Sequence, residues 1–556
     1  MADSKKRRVA LLSNVTVELL AVQLKRDFDL YVPPGYNTWI QEVHDSRSVL
    51  YQDEPDAVIA LIDGSRILDE SMGWAEQIEE WALAIDVLTK HYTSVPIYVS
   101  TIDVVESGVH ALSEFGVSVE VEFRWFDRIR ELSSNAANVY LLDVKRLVTE
   151  AGRSVFYSQK MWYLASMPWS RNGLIQIADS IHRAIEAAFD RRRKVVVTDL
   201  DNTLWGGVIG EDGLEGIKLS RHGEGQRYRD FQQRLLEMKE RGVVLAIASK
   251  NNAEDVKEVF DQHPDMILKP DDFAATRINW KSKSENIREI SEDLNITLAD
   301  FVFIDDNPME RGEVGAACPD LVVPDFPDDT SELSGFAERL WIDNFCPLRI
   351  LDEDANKTEM YRAESKRRVI KREAGNPHEY LKRLEMSAEF HEMTAFEEER
   401  VTQLIGKSNQ FNLTTKRYTR AEVHALSESP TTRVIVGYMS DAYGDSGLVS
   451  VAIVVKEADA ATIDSLLMSC RVMGRRFEEL AIQSVMNVVT DETLVIGEYF
   501  PTQKNAPVKE FYDRLGFTLT SDCDGRKRYE LMARDFNTDA ASFYKTVSMS
   551  GDTFEE

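Results

Sequence analysis

Cysteine is scarce. There are four in 556 residues (Cys318, Cys346, Cys470 and Cys523), none in a CxxC pair and none at zinc-ligand spacing. A disulfide scaffold is therefore not expected, and a reducing, cytoplasmic setting is. Long apolar runs are missing too. No stretch approaches 18 uninterrupted apolar residues, so no membrane span is expected. The opening "SKKRRVALLSNVTVELLAVQL" has the outline of a signal peptide, but Ser13, Asn14, Thr16 and Glu18 interrupt it. It reads instead as a strand followed by a helix. Positive charge is in deficit, with 66 Lys and Arg against 95 Asp and Glu, a net charge of −29. That argues against non-specific nucleic-acid binding. It leaves locally positive anion sites open. There is no internal repeat and no low-complexity tract.

What is present divides into segments. Residues 1–187 alternate short apolar strands ("RVALLS", "PDAVIALID", "VPIYVST") with helical stretches, an α/β layout with a parallel sheet. Residues 188–345 form a second α/β unit built on "KVVVTDLD", "VVLAIASK" and "FVFIDDN". Residues 346–386 are charged and helical, a linking element. Residues 387–545 read as an α+β domain, and 546–556 as a flexible tail.

The second unit carries the sharpest signal. Its first strand ends in Asp199 and Asp201, two like charges one residue apart. At the carboxyl end of a parallel strand, side chains project into the ligand-binding crevice. There, paired carboxylates share a Mg²⁺; one attacks phosphorus and the other protonates the leaving oxygen. Phosphoryl transfer also needs a hydroxyl cradle and a cation. Thr203, Ser249 and Lys250, then Lys281 and Lys283, then Asp305 and Asp306 supply these at strand or helix ends, in a workable order. Only 45 residues separate Thr203 from Ser249, and 32 separate Lys250 from Lys283. Neither interval holds a folded cap, which takes at least ~50 residues. The glycines at 206, 207, 210 and 213 suggest a small hairpin flap instead. An open site suits a macromolecular substrate, or one delivered by another domain, better than a small free metabolite.

From Val195 to about Pro324 the segment resembles the haloacid dehalogenase (HAD) superfamily of phosphotransferases. The resemblance implies Asp199 as nucleophile, Asp201 as acid/base, and Thr203, Ser249 and Lys250 as phosphate ligands. Asp199, Asp201, Asp305 and Asp306 would hold Mg²⁺. More narrowly, "DLDNTLWGGVIGEDG", "INWKSKSENI" and "FIDDNP" are similar to the FkbH-like subfamily, whose lysine follows Trp-x-Pro and maps to Lys283. Ser282 replaces that proline, so Lys281 stays a second candidate.

In the last domain "DSLLMSCRVMGRRFEELAIQSVM" places Cys470 and Arg471-x-x-Gly474 before a helix. This turn resembles the one on which GNAT-type acyltransferases seat a pantetheine pyrophosphate on helix N-terminal amides. Position 476 is Arg, where a small residue is usual. "NAPVKEFYDRLGF" resembles the closing stretch of that fold. Arg471, Gly474 and Arg475 are the candidate acyl or pantetheine ligands. With Arg476, these arginines are expected to favour a Cys470 thiolate. A small core residue is the plainer reading of Cys470. FkbH-like proteins carry a very similar "MSCRVLGR", and the resemblance implies an acyl-bearing thiol. It further implies a glyceryl transferase/phosphatase. Such an enzyme takes 1,3-bisphosphoglycerate, a small phosphorylated three-carbon acid, and holds the glyceryl group as a thioester. It then removes the phosphate and loads D-glycerate onto the phosphopantetheine of an acyl carrier protein for polyketide-type biosynthesis. The alternative is a Mg²⁺-dependent phosphatase whose GNAT-like domain binds or transfers from acyl-CoA.

The N-terminal segment places Ser13 after its first strand, roughly where an SGNH-type hydrolase carries its serine. The expected late Asp-x-x-His is absent from "SMPWSRNG"; Asp179 and His182 fall inside a helical pattern instead. The reading is an SGNH-like fold without hydrolase chemistry.

Overall fold

The computed structural model describes residues 6–52, 54–68, 73–106, 116–189, 192–350, 357–408, 410–457, 460–502 and 504–550. The side chains of Lys407 and Cys470 lie outside that description. The chain forms two compact units. The first is Met1–Lys194 with Ala299–Val302 and Asp325–Leu351; the second is Val195–Leu298 with Phe303–Pro324 and Asp352–Glu556.

The first unit is built on a five-stranded parallel sheet: β1 (Arg8–Ser13), β2 (Asp29–Tyr31), β3 (Ala57–Leu61), β4 (Ile97–Ser100) and β5 (Val139–Leu142). The spatial order is β2-β1-β3-β4-β5, a doubly wound order with its reversal between β1 and β3. Every residue of β3 and β4 is buried, as expected of strands covered by helices on both faces. Ser13 Oγ donates to Leu61 O at 2.7 Å and accepts from Val15 N. Asp179 and His182 sit within the helix Arg171–Phe189. His182 pairs with Asp27 at 3.5 Å and stacks on Phe28. Ser13 and His182 thus take different partners.

A second sheet has the order β8-β7-β6-β9, from β6 (Val195–Thr198), β7 (Val244–Ser249), β8 (Phe273–Ile278) and β9 (Phe301–Ile304). β7 pairs in parallel with both β6 and β8. β6 and β9 lie on either side of the point where strand order reverses, where open α/β sheets bind ligands. The two intervals free of a large cap are filled by core elements, including the helices Glu224–Glu240 and Ala253–Gln262. The expected flap is a hairpin at its base only. Gly206 and Lys218 exchange two backbone hydrogen bonds, and the tip between them is the short helix Ile209–Gly216.

The last sheet comprises β10 (Met386–Glu392), β11 (Phe411–Asn412), β12 (Thr432–Asp441), β13 (Gly444–Glu457), β14 (Ala460–Met468), β15 (Leu494–Tyr499), β16 (Thr518–Cys523), β17 (Arg526–Met532) and β18 (Tyr544–Met549). The order is β16-β17-β15-β14-β13-β12-β10-β18, with β11 against β14. β18 extends to Met549, into residues read from the sequence as a tail; 551–556 lie outside the described residues. The helix Lys357–Glu373, read as a linker, is fastened along its middle. Arg362 pairs with Asp271 at 2.7 Å and Arg368 donates to Glu292 O at 2.9 Å, both in the phosphatase-like part. Arg367 pairs with Asp441 at the end of β12.

Candidate active site

β6 and β9 are wholly buried, and each ends in a carboxylate. Asp199 N donates to Ile304 O at 3.0 Å, which brings the two strand ends together. Lys283 Nζ lies between the acids, 2.9 Å from Asp199 Oδ2 and 2.5 Å from Asp305 Oδ2. It is 3% exposed and Asp305 is 0% exposed. Burial alone would depress the lysine, but Asp199 and Asp305 more than reverse this and its pKa is raised. Burial, then the Asp199 charge, pushes Asp305 up to about 6. The same two causes raise Asp306.

One lysine does not balance three acids. Asp199, Asp305 and Asp306 can each offer an oxygen, all within 4.8 Å of one another. Asp199 Oδ1 is buried without a hydrogen-bond partner. An orphaned carboxylate oxygen costs free energy unless something cationic fills the place. Hard oxygen donors in excess of local positive charge suit a divalent cation such as Mg²⁺.

Lys283 begins the helix Lys283–Leu294, where a cation opposes the helix dipole. The site, not the helix, accounts for it. Ser282 is the N-cap, accepting from Glu285 N at 3.3 Å, with φ −62° and ψ 147°. That is the backbone proline would impose, so serine keeps the shape and adds a cap. Lys281 instead pairs with Glu289 at 2.7 Å on the surface, which leaves Lys283 as the lysine of the site.

Asp201 departs from the expected metal set: it lies outside the three-acid cluster because three donors hold its carboxylate. Trp205 Nε1 (2.9 Å) and Ile209 N (3.1 Å) bind Oδ1, and Asn251 Nδ2 (3.0 Å) binds Oδ2. Asn251 Nδ2 also donates to Ser249 Oγ at 3.1 Å, so one buried amide ties acid to hydroxyl. Thr203 Oγ1 accepts from Asp306 N at 3.3 Å. Lys250 departs from its expected phosphate role: its Nζ is 2.6 Å from Glu310. β7 ends at Ser249, so Lys250 lies past the strand, where Glu310 in the helix Pro308–Ala317 takes up its charge. Arg311, whose role the sequence did not reveal, donates to Asp305 O (2.9 Å) and Asp306 O (2.7 Å), bracing the loop that carries both acids. Trp280, just before the helix Lys283–Leu294, is 77% exposed, and Met309, in the first turn of the helix Pro308–Ala317 that follows Asp306, is 81% exposed.

The turn after β14 is differently made. Cys470–Val472 is a 3-10 turn, Gly474 has φ +78°, and the helix Phe477–Asn487 follows. The expected cationic setting is neutralised. Arg475, 4% exposed, binds Asp441 at 3.0 Å and Glu364 at 3.2 Å, and burial, then Arg367, lowers its pKa. Arg476 forks onto Glu479 with two 2.7 Å bonds and reaches Asp539 at 2.6 Å. Arg471 Nε donates to Ser469 Oγ at 3.1 Å. Arg475 is therefore a structural ion pair and not an open ligand for an acyl group or pantetheine.

Residues 8–186 match the family model described as FkbH, N-terminal domain. No curated protein matches the chain. The chain is similar to the solved N-terminal part of the protein BF1531 from Bacteroides fragilis, which contains a phosphatase domain and was complexed with Mg. Identity is 27%, the TM-score 0.55, and coverage 61% of this chain and 94% of that one. An acetyltransferase from Thermus thermophilus matches at 16% identity and a TM-score of 0.22, over 27% of this chain and 98% of that one. No helix among the described residues is long and apolar enough to cross a membrane.

Proposed function

We propose that the chain is a Mg²⁺-dependent phosphatase coupled to acyl transfer, acting on a phosphorylated three-carbon acyl group and passing it to an acyl carrier protein. The observation that carries the first half is Lys283 lodged between Asp199 and Asp305 while Asp199 Oδ1 is orphaned beside Asp306. Asp199, Asp305 and Asp306 would hold Mg²⁺, which would supply positive charge against the carboxylates and the phosphoryl oxygens. Asp199 attacks phosphorus as the P–O bond to the substrate breaks, and Asp201 gives the leaving oxygen its proton. Ser249, Thr203 and Lys283 hold phosphoryl oxygens. Asp201 then takes a proton from the water that hydrolyses the aspartyl phosphate. Asn251 and Trp205 keep Asp201 aimed through both steps.

The second half rests on the FkbH-like resemblance. The Cys470 thiolate forms an S–C bond with the acyl carbon of 1,3-bisphosphoglycerate, the C–O bond to the 1-phosphate breaks, and inorganic phosphate leaves. The 3-phosphate is removed at Asp199, and D-glycerate moves to the carrier thiol. The uncapped edge and its exposed Trp280 and Met309 favour a substrate brought on a carrier. Intact-protein mass spectrometry tests the scheme. With 1,3-bisphosphoglycerate, Asp199→Asn should accumulate an acyl-enzyme heavier by one phosphate than that of the unaltered protein. Cys470→Ser should form none, yet still hydrolyse a small aryl phosphate. An adduct on Cys318, Cys346 or Cys523 refutes the assignment; burial raises the thiol pKa of the first two.

A further inference from the structure

The helix Ser118–Asn135, in the first unit, has two apolar faces. Val121, Trp125, Ile129 and Leu132 are buried in one core with Val139 of β5. Val119, Phe123 and Phe126 are instead 75%, 67% and 45% exposed. Their spacing of four and three residues puts them in one stripe. At 3.6 residues per turn that stripe lies about 130° around the helix from the buried row.

The neighbours of the helix fix where the stripe points. On one side Arg124 and Arg128 reach Glu79 of the helix Trp74–His91, at 2.6 and 3.3 Å. On the other side Ser133 Oγ donates to Val139 O at 3.2 Å. β5 is the last strand of its sheet, so the stripe lies on the flank away from Glu79, at the sheet's edge. Leu141, 44% exposed, shares the Val139 face of β5 by alternation and carries the apolar surface onto the sheet. Single exposed apolar residues are ordinary, but a contiguous stripe with two phenylalanines marks an interaction surface.

The charges beside the stripe select its occupant. Exposed Glu120 stands at its start and exposed Arg130 just past its end. Arg130 meets Asp127 at 2.5 Å and keeps 71% of its side chain in solvent, so it has donors to spare. The midpoint of Phe123 and Phe126 and the midpoint of Glu120 and Arg130 coincide to within half a residue, at Trp125. A two-fold axis crossing the helix there sets Phe123 against Phe126 of the partner subunit. It also sets Glu120 against Arg130 of the partner subunit, and every contact is made twice. Antiparallel helices bring opposite dipole ends together as well. An unrelated partner has no need of this symmetry; a second copy does.

We propose that two copies of this chain associate by antiparallel packing of their Ser118–Asn135 helices, with Val119, Phe123 and Phe126 at the centre and Glu120–Arg130 pairs at the two ends. The pairing does not depend on the chemistry proposed above. Sedimentation equilibrium of the full chain tests it. The unaltered chain should be dimeric at about 10 μM. Phe123→Glu should weaken association at least about a hundredfold, because the two-fold axis counts the change twice, with the circular dichroism unchanged. Glu120→Arg and Arg130→Glu should each weaken it about tenfold, and the double variant should come back to within about threefold of the unaltered chain. A monomer at about 100 μM, a dimer that Phe123→Glu leaves intact, or a double variant no better than either single one overturns the proposal.

Discussion

Two buried cations, Lys283 and Arg475, each sit between two carboxylates, yet the sites differ in kind. Around Arg475 the charges balance: Arg475 and Arg367 face Asp441 and Glu364, and Asp441 also accepts from Tyr443 N and Gly444 N. Around Lys283 they do not balance. Three acids face one lysine, with an acceptor left over. A satisfied buried pair holds a fold together. An unsatisfied one is retained where a ligand completes it. Imbalance, more than burial or ion pairing, distinguishes the reactive site from the structural one.

That contrast can be broken by experiment. Lys283→Met should lower phosphate release by at least about a hundredfold, as loss of one preorganised donor does. Lys283→Arg should not rescue it, because the space between Asp199 and Asp305 fits an ammonium. EDTA should produce a loss of similar or larger size, measured by phosphate release from an aryl phosphate. Asp441→Asn should act oppositely. It leaves two guanidinium groups under-paired and should cost about 3–5 kcal/mol, read as a lower thermal midpoint. Aryl phosphate hydrolysis per folded molecule should persist; a catalytic loss without a stability loss would erase the distinction.

A third buried acid extends the comparison. Asp63, just after β3, accepts from Ser65 N and Oγ, and burial pushes it up to about 6. The folded state thus holds a proton that the unfolded chain has lost. The associated stability is complete below about pH 4 and disappears as pH rises through 6. Asp63→Asn should stabilise the first unit by about 2–3 kcal/mol at pH 7.5 and by little at pH 4, in paired thermal melts. An equal effect at both values would mean Asp63 is not protonated in the fold.

Smaller effects sharpen the open edge of the phosphatase site. Trp280→Ala should raise KM for a carrier-bound substrate about fivefold, near 1 kcal/mol, with kcat on an aryl phosphate unchanged. Lys281→Ala should leave the thermal midpoint and the rate on an aryl phosphate unchanged, as exposed ion pairs contribute little.

Much of the phosphatase site is legible in the chain because charge interrupts apolar strands there. Asp199, Asp305 and Ser249 each close a run that should otherwise stay buried. Asn251 and Arg311 are illegible for the converse reason: in a loop and on a helix, such residues look like ordinary surface. Lys250 misleads because the acid that pairs with it, Glu310, lies 60 residues away. Arg475 misleads because its acids are remote too, 34 residues away for Asp441 and 111 for Glu364. The parallel α/β sheets are readable from alternating strand and helix patterns. The strand β11 is not, since two residues of pairing leave no periodicity.

The helix Lys357–Glu373 has 17 residues, about 25 Å at 1.5 Å per residue. Over its middle, from Arg362 to Arg368, it is tied to Asp271 and Glu292 on one hand and to Asp441 on the other, so its sides and not its ends join the two parts. A flexible linker would give each site a cloud of positions and an effective concentration that falls as its length grows. A packed helix narrows that cloud instead. An acyl group bound to Cys470 must then meet Asp199 within that narrowed range, and the reach of its own thioester governs how often dephosphorylation meets its substrate.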